Sequence, residues 1–140
     1  MPRLVLDTNI VISGLILRGT PHLLMQVPMR EEFAARTSYA LVSELSRKLF
    51  STKLAAQLLK RGTAAEHLIG IYAALCDVTS PAPLPTPGCR DSDDDAVLAC
   101  TVAAQANLIV SGDADLLTLG QYQGIPIVTA ALALQRLRAS

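Results

Sequence analysis

Two short aliphatic runs constrain this chain more than any other feature. Leu4-Val5-Leu6 is followed at once by Asp7, and Leu108-Ile109-Val110 by Ser111-Gly112-Asp113. A few β-branched or aliphatic residues stopping at a polar one is the pattern of a strand buried on both faces. Such strands belong to parallel sheets, and parallel neighbours need crossover helices.

The intervening sequence supplies those helices. A first is expected from Thr8 to Leu17, closing near Arg18-Gly19. A second starts at Thr20-Pro21, since proline suits a first helical turn, and runs to about Pro28. Phe33 to Thr37 reads as a weak strand. Ser38 then caps a helix from Tyr39 to about Phe50, whose Leu41, Val42, Leu45 and Leu49 recur at helical spacing. Ser51 or Thr52 caps another helix to about Lys60. Ala64 to Cys76 forms the next, followed by a short strand at Asp77-Val78-Thr79. Residues 80–88 hold four of the chain's eight prolines and read as a loop. A helix at Ala96–Ala106, a strand at Asn107–Ser111, a strand at Ile125–Val128 and a helix capped by Thr129 complete the chain. Alternating strands and helices predict a parallel α/β sheet with helices on both faces.

Composition narrows the function. The 140 residues fit one domain, 1–140, and 51% hydrophobic residues supply its core. Twelve basic and 12 acidic residues give zero net charge, which excludes a polycationic nucleic-acid coat but leaves room for a local basic groove. An apolar chain with pI ≈ 6.7 is a poor colloid, so a partner or a homodimer is expected. Cys76, Cys89 and Cys100 form no CxxC pair and no disulfide framework, which predicts a reducing compartment. With no signal-peptide pattern and no run approaching the roughly 20 apolar residues of a membrane span, a cytoplasmic location away from the membrane is expected.

The acids carry the chemistry. Asp7 and Asp113 follow strands whose carboxyl ends share an edge if the strands are neighbours across a topological switch. Asp95 opens the helix before the second strand, and Glu44 lies within the helix after Ser38. The competing readings are ordinary: Asp7 as an N-cap, Asp91, Asp93, Asp94 and Asp95 as acids suited to a helix start, Asp113 and Asp115 as turn residues, Glu44 as a surface residue. The sharper reading is a divalent-metal site. Carboxylates gathered in one crevice repel one another, and a hard cation such as Mg²⁺ or Mn²⁺ removes that penalty. Such a site can activate water and steady phosphoryl charge. Arg47, Lys48, Lys53, Lys60 and Arg61 fall within 15 positions and suggest either phosphate contacts or a solvated helical face. Other enzyme classes fit worse. Asn9 stands where a haloacid-dehalogenase-like phosphatase needs a second Asp. The last lysine, Lys60, comes too early for a receiver domain. There is no Walker A loop, and neither His22 nor His67 suggests a triad.

Four segments, in order, resemble the motifs of PIN domains. They are Leu4-Val5-Leu6-Asp7-Thr8-Asn9, Ser38 to Leu45 with Glu44, Cys89-Arg90-Asp91-Ser92-Asp93-Asp94-Asp95-Ala96-Val97-Leu98-Ala99, and Asn107 to Leu117. The third and fourth look closest to the bacterial VapC-like group, toxin components of toxin–antitoxin systems. The resemblance implies a three-layer α/β/α sandwich with parallel strand order 3-2-1-4-5. It also implies a Mg²⁺- or Mn²⁺-dependent ribonuclease, an endoribonuclease, with RNA as substrate and an antitoxin protein as partner. The implied catalytic acids are Asp7, Glu44, Asp95 and Asp113, with Asp7, Asp95 and Asp113 on the metal. Asn9, Ser111 and Asp115 would be supports, and Arg47, Lys48 and Lys53, from the basic run above, are the expected RNA contacts. Among Asp93, Asp94 and Asp95 only one need face the metal, and the continuation Ala96-Val97-Leu98-Ala99 selects Asp95. The rival of a different class is a catalytically weak module of the same fold that binds RNA or antitoxin without cutting.

Overall fold

The structure is a computed structural model describing residues 2–17, 19–26, 34–80 and 92–138. Cys89, Asp91, the prolines of 81–88 and the expected helix end at Pro28 lie outside the described residues. The elements are β1 (Arg3–Leu6), α1 (Thr8–Ile16), α2 (Thr20–Gln26), β2 (Ala34–Ser38), α3 (Tyr39–Leu49), α4 (Thr52–Lys60) and α5 (Ala65–Leu75). They continue with β3 (Cys76–Thr79), α6 (Ser92–Ala103), β4 (Leu108–Val110), α7 (Ala114–Leu119), β5 (Gln121–Tyr122), β6 (Ile125–Val128) and α8 (Ala130–Arg138). Among the described residues no helix is long and apolar enough to cross a membrane.

The sheet order is β3-β2-β1-β4-β6-β5. Its first five strands are parallel and realise the expected 3-2-1-4-5, with β6 in fifth place. Among these five the order switches sides once, so that β2 and β3 lie on one side of β1 and β4 joins it on the other. Strand alternation builds the three layers. Leu4, Leu6, Leu108 and Val110 enter one core with residues of α1, α2, α4, α5 and α8, while Val5 and Ile109 enter another with Val97 and Leu98 of α6 and Leu116 of α7. Helix α3 wraps the sheet margin, giving Leu45 and Leu49 to the first core and Leu41 to the second.

Local chemistry fixes the element starts. The Ser38 hydroxyl accepts from Leu41 N at 3.3 Å to open α3, and Thr129 Oγ1 accepts from Leu132 N at 3.3 Å to open α8. These bonds satisfy amides that the first turn leaves orphaned.

Three local expectations are corrected. Helix α6 begins at Ser92, a turn before the expected Ala96, and ends at Ala103 rather than Ala106. The clustered acids therefore lie inside a helix, where consecutive residues are 100° apart around the axis. Its end is set by Gln105 at φ 51°, whose carbonyl accepts from Arg3 Nε at 2.9 Å. Helix α7 and strand β5 were not expected. Strand β5 pairs antiparallel with β6 through Gln123 (φ 50°) and Gly124 (φ 81°). Positive φ at both central residues is what a type I′ two-residue hairpin requires.

Candidate metal centre

The site starts from strand register. β1 and β4 pair with Leu6 opposite Val110, so the next residues, Asp7 and Ser111, emerge side by side at the carboxyl edge. Asp7 N donates to Val110 O at 2.9 Å, and the Ser111 hydroxyl donates to Asp7 Oδ2 at 2.8 Å. The same hydroxyl accepts from Asp113 N at 2.9 Å. Asp7 is 4% exposed. It occupies the N-cap position of α1, yet its side chain makes no capping bond. Its carboxylate faces Ser111, so helix capping does not account for it.

Asp113 has two connections. Its Oδ2 accepts from Leu116 N at 3.0 Å, capping α7, which is the ordinary use of an aspartate there. It also belongs to a group with Asp94 and Asp115 in which one carboxylate oxygen from each lies within 4.8 Å of the others. Asp94 is the buried member, at 6% exposure, and Asp115, in the first turn of α7, is the exposed one.

Asp94 enters the group through helical phase. Val97, Leu98 and Thr101 are all buried against the sheet. Asp94 lies three, four and seven residues before them, so it shares their face. Asp95 is one step around the helix and half-buried, and it is not in the group. The alignment of Ala96-Val97-Leu98-Ala99 that selects Asp95 is thus one residue out of step with the face that α6 turns to the sheet edge.

Glu44 is not a member of this group although, like Asp94, it is buried, at 4% exposure. Its Oε1 accepts from Thr8 Oγ1 at 2.9 Å and pairs with Lys48 Nζ at 2.7 Å. Lys48 Nζ also donates to Thr8 Oγ1 at 3.1 Å and to Asn9 Oδ1 at 3.2 Å. Asn9 is exposed and lines a cleft of about 480 Å³ with Ile12, Arg47, Lys48, Ser51, Lys53 and Leu54. The cleft therefore gathers Arg47, Lys48 and Lys53 next to the residue pair that follows Asp7. Arg61 is elsewhere, donating to Ile16 O at 3.1 Å.

The donor set can be tested for fit to a cation. Asp94, Asp113 and Asp115 offer only carboxylate oxygens, the ligands of hard divalent cations that keep several waters. Their mutual repulsion would be relieved by a cation at the point where they converge. The set fits a hard divalent cation and contains no soft ligand. The histidines are remote: His22 and His67 line a different cleft with Leu15 and Arg61. The described thiols are not poised either. Burial pushes the Cys76 thiol up to about 12 and raises that of Cys100.

A mostly parallel sheet with carboxylates converging at the carboxyl edge beside its topological switch is an α/β fold with its acids where such sheets place ligands. The chain belongs to the PIN domain family, whose model matches residues 3–115 and so spans Asp7, Glu44, Asp94, Asp113 and Asp115. PIN domains are generally nucleases and typically bind a divalent metal. No curated protein and no solved structure gives a significant match to the chain.

Proposed function

We propose that this chain is a Mg²⁺- or Mn²⁺-dependent endoribonuclease whose metal is held by Asp94, Asp113 and Asp115 with Asp7 beside them. The observation that carries this reading is the convergence of the three carboxylates within 4.8 Å, at the sheet edge where Asp7 is buried. A bound Mg²⁺ or Mn²⁺ would steady the charge developing on a phosphoryl group and lower the pKa of a water. The chain's own residues do the rest. Ser111 holds the Asp7 carboxylate in a fixed orientation, and its contact with Asp113 N ties the two acids to one frame. Arg47 and Lys53, in the cleft next to Asn9, grip backbone phosphates. No aromatic side chain lines that cleft among the described residues, so the grip is on phosphate rather than on stacked bases.

The resemblance of the third and fourth motifs to VapC-like proteins supports a toxin role, with an antitoxin protein as partner and the cytoplasm as its place of action. A homodimer is supported by apolar surface on α4 and at the end of α3, where Leu59 is 82% and Phe50 58% exposed.

Cleavage of single-stranded RNA in Mn²⁺ and in Mg²⁺ tests the reading. Cutting is expected with the metals, none in EDTA, and none from Asp7→Asn purified identically. Cutting by Asp7→Asn at the wild-type rate, or no cutting by wild type with either metal, rejects it.

A further inference from the structure

We infer that Lys48 is an internal counter-cation: it occupies Glu44, keeps that carboxylate out of the metal's coordination, and thereby weakens the hold of the neighbouring acids on the metal. This rests on the metal site proposed above and adds a residue that tunes it.

An ammonium has three donors. Lys48 directs contacts of 2.7, 3.1 and 3.2 Å to Glu44 Oε1, Thr8 Oγ1 and Asn9 Oδ1. Those three acceptors match its capacity, so this lysine is built into the fold rather than held ready for solvent. Glu44 requires it. A carboxylate at 4% exposure is costly unless it is paired and hydrogen-bonded. Thr8 completes the unit, accepting from Lys48 while donating to Glu44.

The unit adjoins the metal centre. Thr8 follows Asp7, Asp7 Oδ2 accepts from Ser111 Oγ, and Ser111 Oγ accepts from Asp113 N. A continuous path of short contacts and one peptide link joins Lys48 to the frame of the converging acids. A fixed positive charge here opposes a divalent cation, and the pairing withholds one more carboxylate from it. Both effects make the metal easier to release. If Lys48 instead served only to grip phosphate in the cleft, its removal would weaken RNA binding and leave metal affinity unchanged.

The test is calorimetric titration of Mn²⁺ alone, without RNA, into the full chain. Lys48→Met should lower the Mn²⁺ dissociation constant about tenfold, the scale of coupling between neighbouring charged sites. Lys48→Met combined with Glu44→Gln should return it toward the wild-type value, because the freed carboxylate is gone. Lys48→Arg should keep the wild-type value. Lys53→Met, in the same cleft but outside the contacts to Glu44, should also keep it. Lys48→Gln, which retains an amide donor for Glu44, carries the same expectation if Lys48→Met fails to fold. Unchanged affinity in the single variant that lacks the Lys48 charge overturns the inference, as does tightening that persists in full when Glu44 is also replaced. Wild-type protein that binds no Mn²⁺ overturns the metal site itself, and the inference with it.

Discussion

Two groups of acids lie at the same sheet edge and are resolved in opposite ways. On one side Asp94, Asp113 and Asp115 converge, each within reach of the others. On the other, Glu44 meets Lys48 and Thr8. The second group is an internal ion pair, complete within the chain. The first is a set of like charges that a cation from outside would complete. Sequence motifs treat Glu44 and the aspartates alike as acids. The difference between a set of like charges and an internal ion pair arises from one turn of helix: Lys48 follows Glu44 at the i,i+4 spacing that lets a lysine reach back.

Each side of that comparison can be broken separately. The largest effect is expected from Asp94→Asn in RNA cleavage. Removing a carboxylate of the converging group should cost more than the roughly 10–100-fold typical of residues that only support metal ligands. Asp95→Asn should cost less than that range, because the half-buried Asp95 lies outside the converging group. Equal losses in the two variants would contradict the assignment made from helical phase. On the paired side, Glu44→Gln leaves a partly buried ammonium facing a neutral group. Chemical denaturation should show a loss of about 1–2 kcal/mol, discounted from the cost of breaking a fully buried pair because Lys48 retains some solvent. Ser111→Ala removes the hydroxyl shared by Asp7 and Asp113 and should lower stability by about 1–2 kcal/mol with an unchanged denaturant slope. The smallest effect concerns the thiols. With Cys76 pushed up to about 12 and Cys100 also raised, the thiolate fraction at pH 8 is small, so both should resist alkylation in the native state and react on unfolding. Rapid native labelling of either would show that the core around them opens.

The strand ends were legible because burial on both faces leaves a blunt signature: an aliphatic run, then a polar residue. That signature placed Asp7 and Ser111 at the β1 and β4 ends. The choice among Asp93, Asp94 and Asp95 was harder, since matching a motif by its flanking letters ignores rotation about the helix. The deciding signal was present in the pair Val97 and Leu98: two adjacent core residues set a phase that Asp94 shares and Asp95 does not. Helix α7 is not legible in the sequence because its six residues show too little periodicity, and Asp113 reads as a metal ligand or a turn residue rather than as an N-cap. The β5–β6 hairpin was missed because Gln123-Gly124 lacks the asparagine or aspartate that usually marks such a turn. Lys48 was visible at helical spacing from Glu44, but the neighbouring Arg47 and Lys53 drew it into a phosphate-contact reading. The cleft does contain all three, yet the shortest contact of Lys48 is to Glu44.

The central claim is that the acids of the sheet edge form one cation site, with Asp94 rather than Asp95 turned into it. Titration of Mn²⁺ into wild type, Asp94→Asn and Asp95→Asn, followed by heat and by the shift in melting temperature, tests this most directly. Wild type and Asp95→Asn should bind with similar affinity and be stabilised alike, while Asp94→Asn should lose both signals. Retained binding by Asp94→Asn together with loss in Asp95→Asn would contradict the account.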